Sequence, residues 1–173
     1  SQLMRNNGYY YFQPGYMSYL ADTFGIENRV RLRLQLADSL PAQAMQPWHI
    51  GKITMQMQRT FREQFTDSID RSFLKIRYNG RHVPMRPGVV LRNMKLRPRQ
   101  LFSYDNYQES MQKVNATGVF SSVDFQFTPV VNDSAHKLVQ PSPLSPLSSR
   151  LDLTLTCIFD QPYDFYVETS VVN

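Results

Sequence analysis

The sequence predicts an α+β fold, in which two helices pack on one face of a three-stranded mixed sheet. Three observations support this class. Apolar and polar residues alternate in three segments after residue 47, as they do in half-buried strands. Two segments between the first and second of these carry helical spacing and capping residues. The composition is 13% aromatic with only 7 glycines in 173 residues, which favours strands and leaves no glycine-rich phosphate loop.

The first forty residues predict a pair of strands preceded by the end of a helix. Asn7-Gly8 suits a helix C-terminus. Tyr9–Ala21 predicts an irregular or edge strand, because Pro14-Gly15 interrupts it. In Arg29–Leu36 every second residue is aliphatic, which predicts a strand with one buried and one solvated face.

Residues 37–47 predict a connector between domains, since they contain two prolines and no periodic pattern. Trp48–Met57 predicts the first strand of the main sheet. Gln58–Ser72 is polar with Phe61, Phe65 and Ile69 at four-residue spacing, which leaves a short amphipathic helix and a surface loop as alternatives. Phe73–Val83 predicts a hairpin with a type I′ turn at Asn79-Gly80.

The two helices of the predicted fold follow this region. Arg86–Met94 predicts a short helix with Pro87 in its first turn. Ser103 is the expected N-cap of a longer helix that Gly118 ends. The remaining two strands are predicted over 121–128 and 151–159, separated by a long mobile loop rich in proline and serine at 129–150.

Few residues suggest reaction chemistry. The three histidines, His49, His82 and His136, lack the spacing of metal ligands. The single Cys157 forms no internal disulfide; its phase in the last strand predicts a buried, inert thiol, with a reactive thiol as the alternative. We therefore predict no catalytic residue, cofactor or metal, and expect a binding protein and not an enzyme.

The second half resembles the polypeptide-transport-associated (POTRA) domain of bacterial outer-membrane assembly factors. The similarity lies in Leu96–Ser103, Tyr107–Met111 and Thr117–Phe127, of which Gly-Val-Phe-Ser-x-Val is the most characteristic run. Tyr9–Phe12 and Trp48–Ile53 resemble the Bacteroidetes-type version of these factors, a BamA/TamA-like surface antigen family.

Two departures from the family pattern stand out. The family has Pro-Gly in the loop between the two helices, where this chain has Pro98-Arg99. An insertion at about 58–83 separates the first strand from the first helix.

The resemblance implies a domain organisation. Residues 1–40 are expected to form the C-terminal part of a preceding POTRA-like domain, as a partial strand pair. Residues 41–173 are expected to form a POTRA-like domain that contains the insertion and the Pro/Ser loop. Residues 162–173 are expected to be the lead-in to a membrane barrel that is absent from this sequence.

The resemblance also implies a function: a periplasmic module that binds protein, at the periplasmic face of the outer membrane, within a factor for barrel-protein assembly, insertion or translocation. Expected partners are unfolded outer-membrane polypeptides, assembly proteins and the module's own C-terminal barrel. The family's second strand is a sheet edge, which can pair with a client strand. The alternative is that the Pro/Ser loop or the neighbouring half-domain covers it. The implied binding residues are Ser122, Val123, Asp124, Phe125, Gln126, Phe127 and Thr128.

A basic nucleic-acid-binding domain is the alternative function. The net charge is +5, and Arg29, Arg31 and Arg33 form one face of a predicted strand. Tyr9–Tyr11 are expected to be exposed and could stack on bases. An arginine stripe is also what a solvated strand face looks like, and no RNA-recognition motif signature is present. We therefore do not expect nucleic acid as the partner.

Overall fold

The computed structural model describes residues 1–22, 29–131 and 149–160, and it confirms the α+β class. A five-stranded mixed sheet has the strand order β4-β5-β3-β7-β6, and a separate two-stranded sheet joins β1 and β2. The elements are α1 (Gln2–Asn6), β1 (Met17–Asp22), β2 (Arg31–Leu36), β3 (His49–Gln58), β4 (Asp67–Arg71), β5 (Leu74–Tyr78), α2 (Gly88–Leu91), α3 (Tyr104–Ala116), β6 (Phe120–Val131) and β7 (Ser149–Phe159).

The three predicted strands of the main sheet are β3, β7 and β6, which lie side by side. Met55 of β3 pairs with Leu155 of β7 in parallel, and Leu155 pairs with Phe125 of β6 in an antiparallel ladder. Alternate residues of these strands therefore face the same side and form one apolar core. The opposite face carries threonine, glutamine and charged side chains, and no helix of the described residues packs on it.

The sheet has two more strands than predicted, and both come from the insertion. Residues 59–66 form a loop, but Asp67–Arg71 is strand β4 and is not helical. β5 pairs with β3 in parallel and buries Ile76 and Tyr78.

The predicted hairpin turn at Asn79-Gly80 is wrong. β4 and β5 form the hairpin, and Ser72-Phe73 is its two-residue turn. Residues 81–83 form no strand. Gly80 instead takes a left-handed φ of 108° where the chain leaves β5, and its N–H donates to Thr66 Oγ1 at 2.9 Å. The Asn-Gly signal marked a real bend, but the chain does not reverse there onto a second strand.

Both predicted helices are present on the apolar face of the sheet. Ser103 caps α3, since its Oγ accepts the N–H of Asn106 at 3.3 Å, and Gly118 follows the helix with a left-handed φ of 69°. Val90 of α2 and Val114 of α3 are fully buried in the core. α3 lies against β6, which places a helix beside the last strand of the sheet.

Residues 1–12 are fastened to the main body. Gln2 and Asn6 of α1 donate to the two carboxylate oxygens of Asp105, at 2.7 and 2.6 Å. The N–H of Trp48 donates to the carbonyl oxygen of Gly8 at 2.8 Å. Tyr9–Phe12 is not part of a strand, in contrast to the expectation for 9–21; a 3₁₀ turn at Pro14–Tyr16 separates it from β1.

The leucine face of β2 is not buried by the described residues. β1 and β2 pair in register, with Tyr19 opposite Leu34. Leu32, Leu34 and Leu36 are 67%, 54% and 45% exposed. The prediction of a strand was right and the prediction of a half-buried one was wrong, because alternation places the leucines on one face without supplying a layer to cover it.

The predicted Pro/Ser loop at 129–150 is wrong at both of its ends. β6 continues through Val131 and β7 begins at Ser149, so both ends of the predicted loop are strand. Residues 132–148 and the expected lead-in at 162–173 lie outside the described residues.

Candidate functional site

The seven predicted binding residues all lie on β6, at one end of the sheet. β6 pairs with β7 on one side, and no described strand pairs with its other side. The twelve-residue strand therefore presents a long row of backbone groups at its outer edge. The side chains of Val123, Phe125 and Phe127 are half-buried toward the helices, whereas Ser122, Asp124, Gln126 and Thr128 are exposed on the other face.

Pro129 indicates which backbone groups of β6 point outward. In an antiparallel pair, the N–H and C=O of one residue point together toward the partner strand or away from it, and the direction alternates. Proline has no N–H and fits a strand where its nitrogen faces away from the partner. Pro129 pairs with Leu151 in a register that is unbroken from Ser122 onward. The same direction recurs at every second residue, which includes Val123, Phe125 and Phe127. The N–H and C=O groups of these three residues therefore point away from β7.

A wall of aromatic rings lies beneath this edge. The ring of Tyr107 on α3 contacts those of Phe125 and Phe127, with centroids 5.6 and 5.4 Å apart, and Phe102 contacts Phe127 at 5.3 Å. All three contacts are edge-to-face, the geometry that aromatic quadrupoles prefer. Burial raises the pKa of Tyr107, with smaller contributions from Tyr104 and Asp124, so its hydroxyl stays protonated at neutral pH.

The opposite edge of the sheet is protected. β4 has five residues, all exposed, and its Asp70 forms ion pairs with Lys52 and Lys75. The hydrogen bond from Lys52 lowers the pKa of Asp70, which keeps the carboxylate charged. A short, charged edge strand resists pairing with another chain. β6 is therefore the edge suited to accept a strand.

The residues with potential for reaction chemistry are not brought together. Cys157 is fully buried on the apolar face of β7, and burial raises its pKa to about 12, which keeps the thiol protonated. His49 lies at the start of β3, His82 is exposed in the loop after β5, and His136 is outside the described residues. Within the described ranges, no group of three or more His, Cys, Asp or Glu side chains could hold a metal ion.

The features that suggested nucleic acid are present only in part. Arg29, Arg31 and Arg33 are exposed, and the last two lie on β2. The expectation that Tyr9–Tyr11 are exposed is wrong, since all three are partly buried. Tyr10 stacks edge-on against Phe102 with centroids 4.9 Å apart, so its ring is not available for stacking on bases.

The sequence reasoning missed a second feature, a cleft beside the start of β3 that is lined partly by Arg99 and Arg150. Arg99 is the residue that stands where the resembled family has glycine. That departure was a signal, since it puts a charged side chain at a position with a φ of 69°, in the region that favours glycine.

None of the helices in the described part of the chain has the length and apolarity needed to cross a membrane. No family model matches the sequence, and no curated protein matches it. Among solved structures, the chain is similar to POTRA domains 1–3 of the periplasmic domain of Omp85 from Anabaena, with 13% identity and a TM-score of 0.45. The match covers 95% of this chain and 49% of that one, so the chain spans about half the length of the matched structure.

Proposed function

We propose that this chain is a non-enzymatic POTRA-type module that binds extended polypeptide along β6. The observation that carries the proposal is a long sheet edge with outward backbone groups at Val123, Phe125 and Phe127, next to the ring of Tyr107 on α3. An incoming strand would pair with these groups and extend the sheet. The sequence resemblance to outer-membrane assembly factors supports the same interpretation.

The two faces of the edge determine which polypeptides fit. On one side of a bound strand, alternate side chains would meet the rings of Tyr107, Phe125 and Phe127. On the other side they would meet Asp124 and Gln126, which are exposed and polar. A client with alternating apolar and polar residues satisfies both faces, and strands of outer-membrane barrels have this pattern. Backbone pairing dominates such binding, so many sequences would be accepted.

We further propose the biological setting that the resemblance implies. The module would act at the periplasmic face of the outer membrane, in a factor for barrel-protein assembly, insertion or translocation. Its partners would be unfolded outer-membrane polypeptides, assembly proteins and a C-terminal barrel of its own chain.

Residues 1–40 would belong to a preceding POTRA-like domain and residues 41–173 to a second one. The exposed leucine face of β2 supports this division for the strand pair β1–β2, because a strand pair that is part of a larger domain needs another layer of that domain on its apolar side. Residues 1–12, in contrast, contact the second domain through Asp105 and Trp48.

The test compares two proline variants of β6. Val123→Pro removes an outward N–H, so we expect the domain to stay folded and to lose binding of a synthetic peptide with alternating apolar and polar residues. Gln126→Pro removes an N–H that points toward β7, so we expect it to destabilise the domain. Val123→Ala keeps the backbone donor and controls for the lost side chain.

Peptide binding is followed by calorimetry, and folding of each variant by circular dichroism. If Val123→Pro is folded and binds the peptide as well as the parent does, β6 does not pair with clients.

A further inference from the structure

A cleft of about 380 Å³ opens where β3 changes neighbours. The start of β3 pairs with the segment before α3. The N–H of Arg99 donates to the carbonyl oxygen of Ile50 at 2.7 Å, and the N–H of Ile50 donates to the carbonyl oxygen of Gln100 at 2.8 Å. Further along, the N–H of Ile53 donates to the carbonyl oxygen of Phe73 at 2.9 Å. Between these contacts, β3 bulges relative to β7. Bulges redirect side chains and are frequent beside functional sites.

Gly51 forms the floor of this cleft. A Cβ atom there would overlap the side chains of Arg150 and Asp152, which lie directly over its backbone. The carboxylate of Asp152 also accepts the N–H of Lys52 at 2.9 Å. Only glycine permits this close approach, and the result is that the Arg150 side chain is held across the bulge.

Arg99 forms one wall and is held in a strained conformation. Its φ is 69°, in the left-handed region that favours glycine. Its guanidinium lies 4.5 Å from the centroid of the Phe73 ring, which also lines the cleft. No ion pair or side-chain hydrogen bond of Arg99 is present among the described residues. Strain of this kind persists where the surrounding structure imposes it, and it clusters at active sites and ligand clamps.

The charge of the lining is predominantly positive. Lys52, Arg99 and Arg150 line the cleft, and Asp152 is the one carboxylate among the described lining residues. Asp152 is engaged by the Lys52 N–H and by Nε of Arg150, at 2.9 and 3.4 Å. The ammonium group of Lys52 forms an ion pair with Asp70, which does not line the cleft. The two arginines therefore keep N–H groups for a further anion.

We propose that this cleft binds a phosphate ester, with Arg99 and Arg150 donating to the phosphate oxygens and Phe73 contacting the organic substituent. Guanidinium groups match phosphate geometry through paired N–H donors, and a guanidinium already positioned on an aromatic ring loses little freedom on binding. The cleft is larger than a phosphate group, so an ester fits it better than the inorganic ion. The ester could be a soluble molecule or a lipid headgroup.

The test uses glycerol phosphate as the soluble probe, with sodium chloride at matched ionic strength as reference. We expect saturable amide shifts at Gly51 and Lys52 in a heteronuclear NMR titration. Arg99→Gly should weaken the binding at least about tenfold and leave the melting temperature equal or higher, because glycine relieves the strained φ. Arg81→Gln, an exposed arginine outside the cleft, should bind as the parent does.

A second arm distinguishes the two sources of the ester. Phosphatidylcholine vesicles with and without phosphatidylglycerol are sedimented with the parent, with Arg99→Gly and with Arg81→Gln. The cleft would be assigned to lipid headgroups if the parent and Arg81→Gln bind the anionic vesicles, Arg99→Gly does not, and glycerol phosphate causes no saturable shifts. Shifts identical to those with sodium chloride, together with equal vesicle binding by all three proteins, would overturn the proposal. Arg150→Gln serves as the second cleft variant if Arg99→Gly fails to fold.

Discussion

Strand β7 lies between β3 and β6, whereas β2 pairs, among the described strands, only with β1. From Leu151 on β7 and throughout β2, every second residue is apolar. On β7, Leu151, Leu153 and Leu155 are completely buried under the helices. On β2, the corresponding leucines are about half exposed or more. Alternation therefore specifies which residues share a face, but the surrounding layers decide whether that face is buried.

The largest expected contrast between the two strands is in thiol reactivity. Cys157 is the only cysteine, lies on the buried face of β7 and has a pKa raised to about 12. A Leu34→Cys variant in a Cys157→Ala background would place a thiol on the exposed face of β2. We expect it to react with iodoacetamide at least about a thousandfold faster than Cys157, because Cys157 must wait for the domain to open. Mass spectrometry over time gives both rates.

Urea supplies the control for this labelling comparison, since the two thiols should react alike once the chain is unfolded. Similar rates in the folded proteins would contradict the environments described for β7 and β2.

Removing one leucine from each strand should show the next largest difference. Leu155→Ala leaves a cavity in the core and should lower the free energy of unfolding by about 3 kcal/mol. Leu34→Ala should lower it by no more than about 0.5 kcal/mol, as is usual for an exposed site. Urea denaturation measures both values. A comparable loss for Leu34→Ala would show that the leucine face of β2 is covered in solution.

Raising the pH should reveal a smaller effect on the free energy of unfolding than Leu155→Ala does, because it titrates the buried thiol of Cys157 on β7. A thiol whose folded pKa is raised stabilises the protein fully below the pKa of the unfolded state, and that contribution is lost as the pH rises through the folded pKa. Between about pH 8 and about pH 10, Cys157 should therefore cost about 1.5 kcal/mol of stability.

The measurement is the difference in that pH dependence between the parent and Cys157→Ala, since the tyrosines titrate in both. Parallel curves for the two proteins would mean that Cys157 is more accessible to solvent than its position on β7 indicates.

The contrast between β7 and β2 also shows what could be predicted from sequence. β3, β6, β7 and α3 were predictable, because alternation, a serine N-cap and a terminal glycine act locally. β4 was not, because Asp67–Arg71 is short, charged and exposed, and its strand conformation comes from pairing with β5. The Ser72-Phe73 turn lacks the glycine or asparagine that usually reveals a hairpin.

The candidate site was partly predictable for the same reason. The pattern Val123, Phe125, Phe127 gives the side-chain faces of β6. The direction of its N–H groups depends on the register with β7, which places Pro129 opposite Leu151. The cleft could not be predicted, because it arises where β3 exchanges one neighbour for another, and only Arg99 at a glycine position pointed to it.

The smallest expected effect concerns the arginines of β2. Arg31 and Arg33 are exposed, as the leucines of that strand are, so they can bind phosphates of a single-stranded oligonucleotide without any base stacking from Tyr10 or Tyr11. We expect weak binding that is abolished by physiological salt.

In fluorescence anisotropy titrations, the double variant Arg31→Gln, Arg33→Gln should reduce the slope of log affinity against log salt by about 1.4, because each phosphate neutralised by an arginine adds about 0.7 to that slope. The exposed pair Arg62→Gln, Arg81→Gln is the matched control for net charge and should reduce the slope less. Submicromolar binding that persists at physiological salt and disappears only in the β2 variant would make nucleic acid, and not polypeptide, the first candidate for the partner.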